Sequence, residues 1–291
     1  LLKGYGYETR AFHPGERTSW QRNIAYPRLG FDSFKCGEDM DVPQTEEHGY
    51  VSDDSDFEQI IWEFEHKDES TPLFLFNVTI QNHGSYTVED YPAEVQLADE
   101  PGAYPKAEQY LTLANKTDEA FKKLIDYFSA QTEPTILVMF GDHQPSVEQE
   151  FLDKAYGVTQ DEMTMAQYMD KFKVPFIIWA NYPLTGDSTK ITSLNFLAQY
   201  VLRNAGIETS AYGKYLWNLQ KTIPAMTFAG YFDSEGNAYS HLDTTKFTPL
   251  IEDYERVQYN NLFGGDGRQA ALFASPASTT TNDAANATSG N

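Results

Sequence analysis

Cysteine is almost absent from this 291-residue chain, and Cys36 alone excludes both an internal disulfide framework and a zinc site built from several thiolates. Long apolar runs are missing as well. No stretch approaches the roughly 18 residues that a spanning helix needs, so the chain as given reads as soluble. Positive charge is scarce: 21 Lys and Arg stand against 43 Asp and Glu, a formal net charge of −22 at pH 7. An acidic body of that size repels phosphate backbones and anionic lipid surfaces, which argues against nucleic acid or a bare membrane surface as partners. No G-x-S-x-G elbow and no Walker-type phosphate loop occurs, so hydrolase-fold and P-loop readings lack support. Neither an initiator Met nor a signal peptide opens the chain. Leu1 to Tyr7 reads as the last turn of a helix entering a Gly-rich turn, as if continued from something longer.

What is present is core material. Hydrophobic residues make up 41% and aromatics 14%, which excludes wholesale disorder. Leu73 to Ile80, Thr135 to Phe140 and Val174 to Trp179 are short, β-branched and aromatic runs, each predicting a strand buried on both faces. Between them, Tyr110, Leu111, Ala114, Phe121, Leu124, Ile125 and Phe128 form one stripe of a long helix near 106–128. A further helix spans about 193–204, with Gly206 at its left-handed C-cap. Strands alternating with helices predict an α/β fold whose central, mostly parallel sheet is covered by helices. Tyr212 to Tyr239, rich in Gly and aromatics, suggests a small antiparallel piece. We therefore expect one domain over 1–274, with a small C-terminal subdomain from about 212. A Ser/Thr/Asn/Ala-rich tail over 275–291 cannot bury a core.

Acidity is concentrated. Cys36 to Ser70 holds 13 acidic residues against Lys67 alone. Without the Asp/Asn spacing and central Gly of an EF-hand, this reads as a solvated face and not a cation loop. Phe57, Ile60, Ile61 and Phe64 mark a buried helix face within it. Ser55 to Glu58 fits a capping box at the helix start, with Ser52 as the alternative cap.

In open α/β sheets, ligands gather beyond the carboxyl ends of the strands. Gly141-Asp142-His143-Gln144-Pro145 follows one predicted strand, placing a carboxylate beside an imidazole. Such an O/N pair suits a divalent metal, or it caps a turn. Gln81-Asn82-His83-Gly84 follows another, where His83 is placed to bind a phosphate oxygen or donate a proton, or to bond within its loop. His13 to Asn23 joins two arginines to Trp20: Arg22 suits a phosphate, and Trp20 offers a flat face for a polyol or plugs the core. His48, His66 and His241 have no convergent context. Triplets at Asn77, Asn115 and Asn286 match glycosylation acceptors; the first falls in a predicted strand and the second in a predicted helix, so both are read as chance.

These clusters, in this order, resemble the lipoteichoic acid synthase family within the alkaline phosphatase and sulfatase superfamily. The similarity runs over roughly Leu1 to Tyr212. It includes Gly4-Tyr5-Gly6-Tyr7-Glu8-Thr9, His13 to Asn23, Leu29-Gly30-Phe31-Asp32, Asn82-His83, Thr117-Asp118-Glu119-Ala120 and Phe140 to Pro145. The resemblance implies an extracellular catalytic domain of a polytopic membrane protein, with its membrane helices before Leu1. It implies transfer of glycerol phosphate from phosphatidylglycerol to a polymer such as lipoteichoic acid, with a divalent metal, manganese ahead of magnesium or zinc. By motif, Asp142 and His143 resemble metal ligands; His83, Trp20, Arg22 and His13 resemble residues contacting the phospholipid headgroup or glycerol-phosphate polymer. Ser19 stands where the synthase proper has an aromatic residue. The nucleophilic Thr and a further acidic ligand are implied upstream of Leu1, so the sheet is expected to be incomplete and the fragment alone inactive. Rival readings are a phosphatase, sulfatase or phosphoethanolamine transferase of the same superfamily, and a non-catalytic surface module binding phosphate-rich polymer.

Overall fold

The computed structural model describes residues 1–89, 91–185 and 191–276. A 3-10 turn, Leu2–Tyr5, is closed by Gly6 at φ 83°, the turn that Gly4-Tyr5-Gly6 suggested. It delivers the chain into β1 (Glu8–His13), a strand that the polar sequence of this segment did not announce. α1 (Arg22–Leu29) leads to β2 (Ser33–Cys36). A small antiparallel hairpin follows, β3 (Glu46–Glu47) and β4 (Tyr50–Val51), and then α2 (Asp53–Glu65). Ser52, not Ser55, caps α2: its Oγ accepts from Ser55 N at 3.2 Å, while Ser55 already lies inside the first turn. β5 (Leu73–Asn77) completes a parallel sheet in the order β2-β1-β5. This is the central parallel sheet expected from the sequence. β5 ends at Asn77 and not at Ile80, because Phe12 O takes the last ladder bond from Val78 N and the chain then turns away.

β1 is central because its Ala11, Phe12 and His13 are almost fully enclosed. Its Arg10 is tolerated there only because Glu63 on α2 accepts from Nη1 at 2.5 Å and Glu8 from Nε at 2.8 Å.

α3 (Pro105–Ser129) matches the expected long helix. Its buried stripe runs through Leu113, Thr117, Ala120, Phe121, Leu124 and Phe128, leaving Tyr110, Leu111 and Ala114 half-buried at its margin. Phe57, Ile60, Ile61 and Phe64 of α2 pack onto Phe121, Leu124 and Phe128, as the α2 periodicity predicted. β6 (Ile136–Phe140) joins the same core through Leu137 and Met139. After α4 (Gln149–Tyr156) and α5 (Met165–Asp170), β7 (Phe176–Ala180) pairs with β6, but antiparallel. The reversal follows from the connection, which brings the chain back to the end where β6 stopped: Gly141 N donates to Pro175 O at 3.1 Å. β5 and β6 are therefore not neighbours in one parallel ladder, and the Gln81–Gly84 and Gly141–Pro145 segments leave strands of different sheets. Both runs are half-buried and not enclosed on two faces.

α6 (Leu194–Asn204) ends as expected before Gly206 at φ 67°. α7 (Ala211–Gln220) leads into β8 (Ala225–Met226), β9 (Gly230–Phe232) and β10 (Ala238–Ser240), the small antiparallel sheet. α8 (Thr248–Phe263) and α9 (Ala270–Phe273) follow. A second core gathers Phe196, Leu216, Leu219, Ile223, Tyr231, Phe247, Ile251 and Tyr254. The triplet at Asn286 and most of the Ser/Thr-rich tail lie outside the described residues. No helix among those described is long and apolar enough to cross a membrane.

The acidic segment is not simply a solvated face. Asp53, Asp56 and Glu63 are at most 2% exposed, on the inner side of α2. Sequence counts charge but not direction, and the helical phase turns these three inward.

Candidate active site

His13, at the end of β1, is 2% exposed. Its Nδ1 donates to Val78 O at 2.6 Å, so Nε2 carries the lone pair, and that nitrogen is buried without a partner. It faces Gly15, where an added Cβ would fall 2.7 Å from it, so the Pro14-Gly15 step leaves the ring its room. Burial lowers the His13 pKa first, and the nearby charges of Arg22 and His83 lower it further against the bond to Val78. His13 is thus held neutral, with Arg22 and His83 in its immediate electrostatic surroundings.

Arg22 opens α1, with Nη1 donating to Ser19 O at 3.2 Å, and it has no carboxylate partner among the described residues. In a chain of net charge −22, a half-buried guanidinium without an acid beside it has the chemistry to take an anion. Trp20 and Gln21 just before it both sit at positive φ, 57° and 54°. That left-handed pair turns the Trp20 ring outward, where it is 86% exposed, so it is a surface platform and not a core plug.

His83 lies on the loop after β5, three residues farther from the strand end than the sequence suggested. Its Nδ1 donates to Gly84 O at 2.7 Å, and Tyr50 OH lies 3.3 Å from the same nitrogen. The rings of Tyr50 and His83 meet edge-on at 5.5 Å. His48 donates Nε2–H to Gln81 O at 2.5 Å and joins Tyr50, Tyr86 and Tyr91 in an aromatic bed under this loop. Part of the acidic segment therefore lies against the site and not away from it. His48 and Tyr50 were missed because nothing in their spacing signals a partner thirty residues downstream.

Asp142 and His143 follow β6 and are exposed, with side chains 81% and 77% accessible. His143 N donates to Asp142 Oδ1 at 2.9 Å, its Nδ1 donates to Gln144 O at 2.9 Å, and Nε2 stands 3.5 Å from Asp142 Oδ2. Burial, then Tyr110 and the charge of Asp142, raise the Tyr86 pKa to about 12, so Asp142 lies within electrostatic reach of the loop after β5. In His13, His83 and His143 alike, Nδ1 donates to a backbone carbonyl, which leaves Nε2 as the nitrogen turned away from that bond. That arrangement suits imidazoles that ligate through Nε2. Asp142 and His143 fit two positions of a divalent shell. Among the described residues no group of three or more His, Cys, Asp or Glu converges to complete one.

The family model described as Sulfatase matches residues 1–207. A Rhizobium meliloti (strain 1021) protein named for cyclic beta-1,2-glucan modification is 27% identical over 276 residues, 91% of this chain and 42% of its own length. The lipoteichoic acid synthase-like protein YvgJ of Bacillus subtilis (strain 168) is 28% identical over 61% of this chain and 28% of its own. The chain thus spans less than half the length of these curated relatives. Among solved structures, the Streptococcus pyogenes phosphoglycerol transferase GacH, in complex with sn-glycerol-1-phosphate, superposes with a TM-score of 0.70 at 17% identity. That alignment covers 93% of this chain and 65% of GacH.

Proposed function

Because this chain belongs to the sulfatase family, as a lipoteichoic acid synthase-like domain of the sulfatase and alkaline phosphatase superfamily, we propose that it takes part in phosphoglycerol transfer to a polymer. Arg22 carries the reading: a guanidinium without a carboxylate partner, near enough, as His83 is, for its charge to act on the His13 imidazole whose Nε2 is bare. Arg22 would hold the phosphate by paired N–H donors, and His13 and His83 would address the glycerol hydroxyls or phosphate oxygens. The exposed Trp20 ring would cover the carbon skeleton. The complex of GacH with sn-glycerol-1-phosphate, a protein of the same fold, supports a ligand of this chemistry.

We further propose that Asp142 and His143 Nε2 hold a divalent ion, manganese foremost. When bound there, the ion would supply neutralisation of phosphoryl oxygens. The lipid headgroup as donor and the outer face of a cell membrane as location belong to the same proposal, supported by the relatives named as lipoteichoic acid synthases. For the acceptor, a glucan hydroxyl is favoured over a glycerol-phosphate polymer by the relative that matches 91% of the chain.

Titration calorimetry with sn-glycerol phosphate tests the headgroup site. Binding that Arg22→Ala weakens at least tenfold without unfolding the protein is expected, and equal binding would dismiss it. Elemental analysis of Asp142→Ala and His143→Ala after manganese loading tests the metal pair; metal content equal to the parent would remove the assignment.

A further inference from the structure

Thr117 belongs to a short sequence element, Thr117-Asp118-Glu119-Ala120, that the site described above does not use. It lies in the middle of α3 and is 5% exposed. Yet its hydroxyl is the hub beneath the His83 loop. Oγ1 donates to Asp53 Oδ2 at 2.6 Å, and it accepts from Asn82 Nδ2 at 2.8 Å and from Gln81 Nε2 at 3.1 Å. A hydroxyl offers one proton and two lone pairs: of its two acceptors Asp53 Oδ2 is much nearer than Leu113 O at 3.2 Å, so the proton goes to Asp53 and the two amides take the lone pairs. A carboxylate can only accept, and Asp53 therefore fixes which way the proton points. The two lone pairs are left aimed at the amides of consecutive residues, Gln81 and Asn82.

The rest of the loop is tied to the same frame. Gln81 Oε1 accepts from Asp53 N at 2.9 Å, and Gln81 Nε2 also reaches Leu113 O at 3.1 Å. Tyr86 OH donates to Asn82 O at 2.7 Å, and His83 N donates to Ile80 O at 2.9 Å. His83 is exposed, so nothing above it fixes its backbone; the restraint comes from beneath.

We propose that Thr117 is a positioning residue: oriented by Asp53, it sets the two residues preceding His83 and so holds the imidazole where it meets the headgroup. The inference rests on the reading of His83 as a headgroup-contacting residue. Valine at 117 keeps the shape of the side chain and strands both amides, whereas serine keeps the hydroxyl.

The test uses the full chain as Thr117→Val, Thr117→Ser and Asn82→Ala. Thr112→Val is the control: Thr112 is equally buried on α3, but its hydroxyl bonds Glu108 O and Val95 N and not this loop. Two readouts are taken, the imidazole 15N shifts of His83 and the affinity for sn-glycerol phosphate. Thr117→Val should move the His83 resonances and weaken binding about tenfold, with Thr117→Ser within about threefold of the parent. Asn82→Ala, at a half-exposed position, should reproduce the His83 shift even if Thr117→Val folds poorly. Unmoved His83 resonances in both Thr117→Val and Asn82→Ala would overturn the proposal, as would an equal effect from Thr112→Val. Moved resonances in a parent that binds no glycerol phosphate would support the positioning role and overturn the proposed function instead.

Discussion

Replacing Asp56 by Asn should stabilise the fold at neutral pH and flatten the pH dependence of its stability. Asp53 and Asp56 share the first turn of α2 with no exposed surface, and no Lys or Arg pairs with either among the described residues. Three acceptor oxygens here, Asp53 Oδ1, Asp56 Oδ2 and Asn77 Oδ1, meet no donor. Burial, and then the charge of Asp53, pushes the Asp56 carboxyl well above its ordinary range. Burial likewise pushes Asp53 up to about 6. An acid whose pKa rises on folding favours the fold when protonated. That stability is present below the unfolded value of 3.8 and is lost as pH climbs through about 6. For Asp53 the loss is about 3 kcal/mol, at ~1.4 kcal/mol per unit. Asparagine at 56 removes the like charge and keeps an oxygen for Asn77 Nδ2. It also brings an amide donor for a stranded acceptor, each of which costs about 1–3 kcal/mol. The variant should melt several degrees above the parent at pH 7, at ~2–4 °C per kcal/mol for a chain of this size, and nearly level with it at pH 4. Calorimetric melts of both proteins at pH 4, 5.5 and 7 check this. The difference between them cancels carboxylates of opposite sign, such as Asp32, which Lys3 holds down to about 2. A melting difference constant across pH, or a loss at pH 7, would refute the reasoning.

Glu63→Ala should cost about 1–3 kcal/mol by urea denaturation, because it removes one of the two carboxylates held by Arg10 and by Lys35, which keep Glu8 and Asp41. Trp20→Gly should raise stability by about 1 kcal/mol by relieving the left-handed backbone, while glycerol phosphate affinity measured by calorimetry falls. Gly37→Ala should lower the melting temperature, at a cost of about 1–3 kcal/mol, since its Cβ would come 2.3 Å from Pro14 O and push on the segment behind His13.

Apolar elements were legible: α3 and the apolar face of α2 follow from helical periodicity, and β6 and β7 from their short continuous apolar runs. β1 was not, because Glu8-Thr9-Arg10-Ala11-Phe12-His13 is polar at the positions where Glu63 and Asp32 supply distant partners. The reversed direction of β7 was equally hidden, since an apolar run carries no sign. At the site, the histidines and Arg22 could be named from their motifs, whereas their support could not. Thr117, Asp53, His48 and Tyr50 act across 33 to 64 residues of sequence, through contacts that only the folded chain creates.

The antiparallel β6–β7 pair makes the Asp142-His143 loop answerable to a part of the chain beyond the family-matched segment. Gln144 Nε2 donates to Lys173 O, and Gly141 N to Pro175 O, so residues 173–175 form the back wall of that loop. Phe172 meets Phe228 edge-on at 4.9 Å, and Lys173 lies over Phe232 at 5.8 Å. The wall is therefore buttressed by the small sheet of residues 225–240, whereas the sulfatase match ends at 207. Inheritance of the carboxylate–imidazole pair is thus not separable from inheritance of its buttress: a graft of residues 1–207 onto a foreign C-terminal segment would carry the donors without the surface that sets their stance.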